Sequence, residues 1–413
     1  MVIVLLCSGL GTEARTYDGG RMYTSYKGLV MAGYQGWFNA PGDKAGRGWY
    51  HYTGKDGFRP GSASVDMWPD VSEYENTYKS PFVYEDGSPA YLPSSYDSTT
   101  VDTHFRWMKE YGVDGVFMQR FVSEIRGESG LHHFNTVLGN AMTAANKYER
   151  AICVMYDLSG MNAGEDSVVI NDIRKLAREH SLMEHEKNPS YLYHNGRPLV
   201  AVWGVGFFDS RKYGMTEAQR IVGALKDMGF SVMLGVPTHW RLLGEDTNPD
   251  LRLHDLIRRC DIVMPWFVGR YTEATFDNYK PLIRADIEWS RKNGVDYAPL
   301  CYPGFSWRNL SYPQEGTLFI PRNGGSFFWK QLSYALEAGA EMIYVAMFDE
   351  IDEGTAIFKC ARRVPLPYPG STFLPLEEGV RPEHYMQMVG RAGSALREQL
   401  GMKAEILQKK DKK

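Results

Sequence analysis

Four acidic residues crowd one short segment near the C-terminal end of the chain: Asp349, Glu350, Asp352 and Glu353. Hydrolysis of a glycosidic bond typically uses two carboxyl groups that flank the bond and differ in protonation. On a regular strand Glu350 and Glu353 would point to opposite faces, but Gly354 allows the chain to turn so that both can face one pocket. Crowding of like charges raises the pKa of at least one carboxyl group, which would keep it protonated as an acid. We therefore predict that Glu350 and Glu353 form a catalytic pair.

Two other interpretations of this acidic segment stay open, a calcium site and a solvated acidic loop. The spacing of the four acids differs from that of an EF-hand loop. Other chemistries find less support in the sequence. No strand is followed by a glycine-rich phosphate-binding motif, the GxSxG nucleophile motif is absent, and the histidines lack the spacing of metal ligands. We accordingly expect neither a cofactor nor a metal ion.

The acidic segment directly follows an apolar run, residues 342–348, with the composition of a strand that is covered on both faces. Including this run, the predicted strands are residues 28–38, 113–121, 150–158, 197–204, 231–237, 260–266, 297–302 and 342–348. Each is followed by a segment with helical periodicity. These predicted helices begin at about residue 98 and then cover residues 131–147, 166–185, 216–228, 249–259, 276–292, 326–338 and 382–400.

Eight strand–helix units predict an α/β fold, a (β/α)8 TIM barrel. Residues 39–97, between the first strand and the first helix, form a long β1–α1 insertion loop rich in Gly, Pro, Ser and aromatic residues. A doubly wound open sheet is the alternative fold, but such sheets usually carry a glycine-rich phosphate turn that this sequence lacks. We predict a single (β/α)8 catalytic domain over residues 28–402 and a charged tail over residues 403–413.

The C-terminal ends of the strands of such a barrel converge on one face, where active sites are built. Rings, amides, arginines and carboxylates occur together at these ends, which is typical of a carbohydrate site. The predicted substrate-binding residues are Tyr34, Trp37, Gln119, Arg120, Tyr156, Asp157, His239, Trp240, Trp266, Tyr302, Trp307, Asp349 and Asp352. Gln35, Trp203 and Arg270 also stand at strand ends. Two points stay open: the rings could stack on sugars or pack loops, and Asp157 could bind a sugar hydroxyl or pair with Arg120.

The composition and the N-terminal segment indicate which partners and which cellular location to expect. The formal net charge is −4 over 413 residues, so we expect no nucleic-acid partner. Past residue 20 no apolar stretch is long enough to span a bilayer. Residues 1–20 resemble a signal-peptide remnant or a disordered leader, and we expect an exported bacterial protein that acts as a monomer on an oligo- or polysaccharide. Cys153, Cys260 and Cys301 lie in apolar runs and are predicted to be buried free thiols.

The segment from Phe348 to Thr355 resembles a motif of glycoside hydrolase family 99, the endo-α-mannosidases and endo-α-mannanases. In that family the last barrel strand ends in Phe/Trp-Asn-Glu-Trp-x-Glu-Gly-Thr. The chain as a whole is similar to bacterial glycoside hydrolase family 71/99-like proteins over residues 28–400. Residues 32–38, 118–121, 155–160 and 321–325 also carry the resemblance.

The resemblance implies a retaining glycosidase that acts on an α-linked, mannan-like glycan through the substrate's own 2-hydroxyl. It assigns Glu350 as the base on that hydroxyl and Glu353 as the general acid/base. This sequence departs from the family motif, since Asp349, Ile351 and Asp352 replace Asn, Trp and His. Loss of the Trp and the two added carboxylates would change the sugar pocket and the coupling between the pKa values of its acids. The alternatives are an α-1,3-glucanase-like activity and a non-catalytic carbohydrate-binding barrel.

Overall fold

The computed structural model describes residues 21–184, 186–310 and 318–402. The predicted leader and charged tail lie outside these ranges. Eight strands form the central sheet. They are β1 (Val30–Tyr34), β2 (Gly115–Phe121), β3 (Ala151–Asp157), β4 (Arg197–Trp203), β5 (Ser231–Val236), β6 (Ile262–Pro265), β7 (Asp296–Tyr297 and Leu300–Cys301) and β8 (Ile343–Val345).

These eight strands run parallel and the sheet closes on itself, while a two-residue strand, Tyr193–His194, pairs antiparallel with the start of β4. Each strand pairs with the next in chain order from β1 to β6, and β1 also pairs with β8. The two pieces of β7 complete the ring, because the first pairs with β6 and the second with β8. Between them, the Ala298 N–H donates to Val263 O at 2.9 Å and the Tyr344 N–H to Pro299 O at 2.9 Å. The predicted TIM barrel is confirmed.

Helices follow the strands around the outside of the barrel. They are α1 (Ser98–Tyr111), α2 (Glu128–Tyr148), α3 (Asp166–Glu179), α4 (Met215–Asp227), α5 (Arg252–Arg259), α6 (Lys280–Lys292), α7 (Ser326–Glu337) and α8 (His384–Gln399). Because helices cover the outer face and side chains fill the interior, β1, β2, β5, β6 and β8 are buried along their whole length. This double burial explains their continuous apolar composition.

The barrel interior leaves no room for a side chain at Gly33, near the end of β1. A Cβ atom there would lie 2.1 Å from Met347 Cε and 2.3 Å from Tyr344 Oη. The glycine therefore lets β1 and the chain after β8 approach each other closely. This approach brings the acidic segment beside the end of β1.

The long insertion between β1 and α1 carries a small antiparallel hairpin, Tyr78–Val83 with Pro89–Leu92. It also supports the acidic segment from outside. The backbone N–H groups of Asp66 and Met67 donate to Ile351 O at 2.9 and 3.1 Å, and the Asp70 N–H donates to Lys359 O at 2.9 Å. The insertion thus fixes the backbone that follows β8.

Cys153, Cys260, Cys301 and Cys360 are buried and free. The prediction for the first three is confirmed. None of the helices in the described ranges has the length and apolarity that a membrane crossing requires.

Candidate active site

A cavity of roughly 480 Å³ opens at the C-terminal end of the barrel strands. Its wall includes seven residues that the sequence predicted for the site: Trp37, Gln119, Asp157, Trp266, Trp307, Glu350 and Glu353. The turn after Glu350 brings both glutamates to one cavity, as Gly354 suggested, and Gly354 has a φ of 66°. Their catalytic roles stay predictions.

Glu350 is almost fully buried and is held by two side-chain donors. The Gln35 amide Nε2–H donates to Glu350 Oε1, and the Thr355 hydroxyl donates to Oε2 at 2.6 Å. Burial raises the pKa of Glu350 well above its ordinary value, and the charges of Glu353 and Asp352 add to this effect. The two hydrogen bonds act in the opposite direction because they stabilise the ionised carboxylate.

Glu353 is half-buried beside an exposed ring. The Trp307 indole N–H donates to Glu353 Oε1 at 3.1 Å. Burial raises the pKa of Glu353 to about 7, the hydrogen bond from Trp307 opposes this shift, and the charge of Asp157 adds to it. The charge of Glu353 is one of the causes that raise the pKa of Glu350, so ionisation of Glu353 opposes ionisation of Glu350.

Asp349 and Asp352 do not line the cavity, contrary to their prediction as substrate-binding residues. Asp349 is buried and accepts the backbone N–H groups of Gln35 at 2.7 Å and Gly36 at 2.9 Å, so it anchors the loop after β1. Burial raises its pKa to about 6. Asp352 points into the protein, where burial and the charge of Glu353 raise its pKa well above the ordinary value.

Arg120 and Tyr156 also lie outside the cavity, and of the two interpretations left open for Asp157, pairing with Arg120 is not what the structure shows. Arg120 binds Asp172 on α3 with two hydrogen bonds, 2.7 Å from Nε and 2.6 Å from its terminal nitrogen. The Tyr156 hydroxyl donates to the same carboxylate at 2.6 Å. Successive side chains of a strand face opposite sides. Gln119 and Asp157 therefore face the cavity while their neighbours Arg120 and Tyr156 face the helix layer.

Four more predicted binding residues are packed away from the cavity: Tyr34, His239, Trp240 and Tyr302. The Tyr34 hydroxyl lies 2.7 Å from His104 Nδ1, and the Tyr302 hydroxyl donates to Tyr271 O at 2.5 Å. Trp240 is fully buried, with its ring 4.9 Å from that of Trp289. His239 Nδ1 lies 3.1 Å from Asp246 Oδ1. Tyr34, Trp240 and Tyr302 thus contact neighbouring elements within the protein, and His239 pairs with an acidic side chain.

Several cavity residues had no predicted role. Gln35, Trp203 and Arg270 stand at strand ends, and this position in the sequence could have identified them as cavity residues. Asp209 and Arg211 lie past the end of β4, and no periodicity in the sequence marked them. Further unpredicted wall residues are Phe121, Ser159, Phe207, Val268, Gly269, Phe305, Leu318 and Met347.

The arginines of the wall are already ion-paired. Arg211 lies 2.8 and 2.9 Å from the two oxygens of Asp209, and Arg270 lies 3.2 Å from Asp246 Oδ2.

Within the described ranges, no group of three or more His, Cys, Asp or Glu side chains is arranged to hold a metal ion.

No family model matches the chain, and no curated protein matches it in sequence. Solved structures do match. Two structures of the family 99 endo-α-mannosidase from Bacteroides thetaiotaomicron, one in complex with bis-tris-propane, have TM-scores of 0.64 and 0.63 at 16% identity, covering 90% of this chain and 98% of that chain. A glycoside hydrolase-like protein has a TM-score of 0.52 at 14% identity, covering 81% of this chain and 96% of its own. The resemblance to family 99 is thus confirmed at the level of the fold.

Proposed function

We propose that this protein is a glycoside hydrolase that cleaves an α-linked glycan, with Glu350 and Glu353 as its catalytic pair. One observation carries the proposal: two carboxyl groups with raised pKa values line the same cavity at the C-terminal end of the barrel. Glycosidases need such a pair with one member ionised and the other protonated. The fold shared with a family 99 endo-α-mannosidase supports the same chemistry.

The hydrogen bonds around each glutamate support a division of labour. Glu350 accepts from Gln35 and Thr355, which favours its ionised form and therefore the role of a base. Burial raises the pKa of both carboxyl groups, so the hydrogen bonds and the family resemblance, not the pKa values, separate the two roles, and we assign Glu353, whose pKa is raised to about 7, as the acid. This assignment agrees with the roles that the family resemblance implies.

The proposed reaction proceeds in two steps and retains the anomeric configuration. In the first, Glu350 takes the proton of the sugar 2-hydroxyl, O2 forms a bond to C1, and the C1–O bond to the leaving group breaks as Glu353 protonates that oxygen. In the second, Glu353 takes a proton from water, whose oxygen bonds to C1. The C1–O2 bond opens, and O2 recovers its proton from Glu350. The net change is hydrolysis of one glycosidic bond.

A hydrolysis screen tests the proposal directly. Wild-type protein is incubated with α-mannan, α-glucan and arabinoxylan oligosaccharides, and products are measured by chromatography. We expect cleavage of at least one α-linked glycan. Glu350→Gln and Glu353→Gln should each lower kcat/KM on it by about 10²- to 10⁴-fold, the usual contribution of a positioned acid or base.

Glu341→Gln is the matched control, because Glu341 precedes the same strand at the opposite end of the barrel and pairs with Lys27. It should keep wild-type activity. If neither cavity variant slows cleavage, the catalytic pair is misassigned. Binding of glycans without cleavage would instead favour a non-catalytic carbohydrate-binding barrel, and cleavage confined to α-1,3-glucan would favour the glucanase alternative.

A further inference from the structure

Asp66, in the insertion between β1 and α1, is a fully buried carboxylate that the proposed reaction does not use. Its oxygens accept three hydrogen bonds from one short segment after β7. The Arg308 N–H donates to Oδ2 and the Asn309 N–H to Oδ1, each at 2.7 Å, and the Ser306 hydroxyl also donates to Oδ2. Because these donors lie on both sides of Trp307, Asp66 fixes the backbone from which that ring projects.

Asp66 also holds the acidic segment, through its backbone. Its N–H donates to Ile351 O at 2.9 Å, two residues before Glu353. The two segments that Asp66 holds contact each other directly, since the Ser306 N–H donates to Glu353 O at 2.8 Å. A Cβ atom on Gly354 would lie only 3.2 Å from Ser306 N and from Ser306 Cβ, so the close approach suits a glycine. One residue of the insertion thus sets how the segment after β7 lies against the acidic segment.

The result of this arrangement is the hydrogen bond of 3.1 Å from the Trp307 indole N–H to Glu353 Oε1. An indole N–H can donate a hydrogen bond but cannot accept one. It therefore occupies Oε1 in both protonation states of Glu353, as a carboxylate oxygen when the group is ionised and as the carbonyl oxygen when it is protonated. The proton of the acid then belongs on Oε2.

Other groups set the charge around Glu353. They are Glu350 and Asp352 in its own segment, Asp157 at the end of β3, and on the cavity wall Arg211 and Arg270, which pair with Asp209 and Asp246. Burial raises the pKa of Glu353, and the hydrogen bond from Trp307 lowers it. Loss of that hydrogen bond should therefore change both the place of the proton and the pH at which it leaves.

We propose that Trp307 is a positioning residue that directs the proton of Glu353 to Oε2, and that Asp66 acts through Trp307 by holding it in place. The inference rests on the proposed function for the use of that proton in catalysis, but the placement of the proton does not require cleavage. It gives Trp307 a different role from the predicted contact with substrate, because the indole N–H binds an acid of the protein itself.

The indole signal of Trp307 tests the inference without any glycan. Heteronuclear NMR spectra of protein labelled with ¹⁵N-tryptophan are recorded from about pH 5 to 9, the range in which the acid titrates. The Trp307 signal is the one that Trp307→Phe lacks. A hydrogen bond to an ionised carboxylate is shorter and stronger than one to a neutral group. We therefore expect the signal to move downfield as the pH rises, with a midpoint near the Glu353 pKa of about 7, and to stay in place in Glu353→Gln.

Two variants test the role of Asp66. Asp66→Asn removes the charge of the acceptor, and Ser306→Ala removes one donor to it and serves if Asp66→Asn does not fold. Each should move the Trp307 signal upfield, toward that of an indole without a partner, and reduce its movement with pH. Burial raises the pKa of Asp66 itself to about 6, so a movement that persists in Glu353→Gln would report Asp66 and not Glu353.

Kinetics on a glycan that wild type cleaves provide a second readout. Trp307→Phe should lower the maximal kcat/KM by about 3- to 10-fold, the effect of one hydrogen bond. The alkaline limb of its pH profile should move to higher pH, because the lost hydrogen bond lowered the pKa of Glu353. A ring that served only to stack on a sugar would leave this limb in place. In the Trp307→Phe background, Asp66→Asn should add little further loss, because the two residues act in series.

Trp329→Phe is the matched control, because Trp329 and Trp307 are similarly exposed, at 39% and 41%, and Trp329 does not line the cavity. It should leave the Trp307 signal and the pH profile unchanged. The inference would be overturned by a Trp307 signal that does not titrate, by a titration that persists in Glu353→Gln, by an unmoved alkaline limb in Trp307→Phe, or by an unchanged signal in the folded Asp66 and Ser306 variants.

The two proposals fail in different ways. A Trp307 signal that titrates with Glu353, in a protein that cleaves no glycan, would leave the inference standing and remove the hydrolase proposal. Cleavage that depends on Glu353, with a Trp307 signal that does not titrate, would do the reverse.

Discussion

At the scale of single residues, the hydrogen bonds on two glutamates support the proposed division between base and acid. Glu350 has two side-chain donors on its carboxylate, whereas Glu353 has one, from Trp307. The sequence was sufficient to predict the pair and its shared cavity from the turn that Gly354 permits. It was not sufficient to predict that Gln35 orients Glu350, because that contact joins the ends of two strands that are neighbours in the barrel but about 300 residues apart in the sequence.

The pH dependence of activity should report on Glu353. An acid must be protonated, so with a pKa of about 7, Glu353 should lose its function as the pH rises through neutrality, and kcat/KM should fall on the alkaline side. The charge of Asp157 is one of the causes that raise this pKa. Asp157→Asn should therefore lower the pKa of Glu353 and move the alkaline limb to lower pH.

The measurement is kcat/KM from pH 5 to 9, roughly the range over which the free enzyme's acid and base titrate. Asp255→Asn, at an exposed position on α5, is the control and should leave the profile in place. If the alkaline limb does not move in Asp157→Asn, the charge of Asp157 does not raise the pKa of the group that this limb reports.

At the scale of elements, the apolar runs predicted all eight strands, but the observed bounds differ, most clearly at three of them. The first strand covers Val30–Tyr34 rather than residues 28–38, the predicted strand 297–302 is two pieces separated by Ala298 and Pro299, and the last strand is shorter than residues 342–348. Proline has no N–H to donate, which accounts for the break at Pro299. The sequence prediction chose site residues by their position at a strand end, and so it included Gln119, Arg120, Tyr156 and Asp157 alike. Alternation of side chains along β2 and β3 would have assigned Gln119 and Asp157 to the cavity and Arg120 and Tyr156 to the helix layer.

Arg120 now has a structural role, because it ties β2 to α3 through Asp172. Both side chains are almost fully buried. Arg120→Met would leave the Asp172 carboxylate buried without its cation, and should lower the free energy of unfolding by about 3–5 kcal/mol. Urea unfolding followed by circular dichroism measures this loss.

An exposed ion pair provides the comparison for that variant. Lys175→Met breaks the exposed pair with Glu179 on α3 and should cost less than about 1 kcal/mol. If the two variants lost similar free energies of unfolding, burial would not be the reason that the Arg120–Asp172 pair stabilises the protein.

At the scale of the whole molecule, the barrel separates a face that carries chemistry from a face that carries stability. At the latter, Arg397 on α8 donates to Gly28 O at 3.0 Å and to Asp114 Oδ2 at 2.9 Å, and Asp114 in turn accepts the Val30 N–H at 2.8 Å. The last helix is thereby joined to the starts of β1 and β2. Eight repeating units in the sequence predicted the barrel, but no sequence pattern predicted the contacts of Arg397 between the two ends of the chain.

Arg397→Met should therefore destabilise the protein without affecting catalysis. It leaves Asp114 buried without its cation, so we expect a loss of about 3–5 kcal/mol in the free energy of unfolding. Because the site lies at the opposite face, kcat/KM of the folded protein should match the wild type. A large fall in kcat/KM at a temperature where the variant is folded would contradict this separation of faces.

The most direct measurement of the central claim compares two substrates with the same sugar and different leaving groups. One is the glycan that wild type cleaves, and the other is its 2,4-dinitrophenyl glycoside, whose leaving group departs without protonation. If Glu353 is the acid, Glu353→Gln should lose about 10²- to 10⁴-fold in kcat/KM on the glycan and far less on the aryl glycoside. Glu350→Gln should lose activity on both, because the base is needed whatever the leaving group. Equal losses of Glu353→Gln on the two substrates, or wild-type rates for either variant, would contradict the proposed catalytic pair.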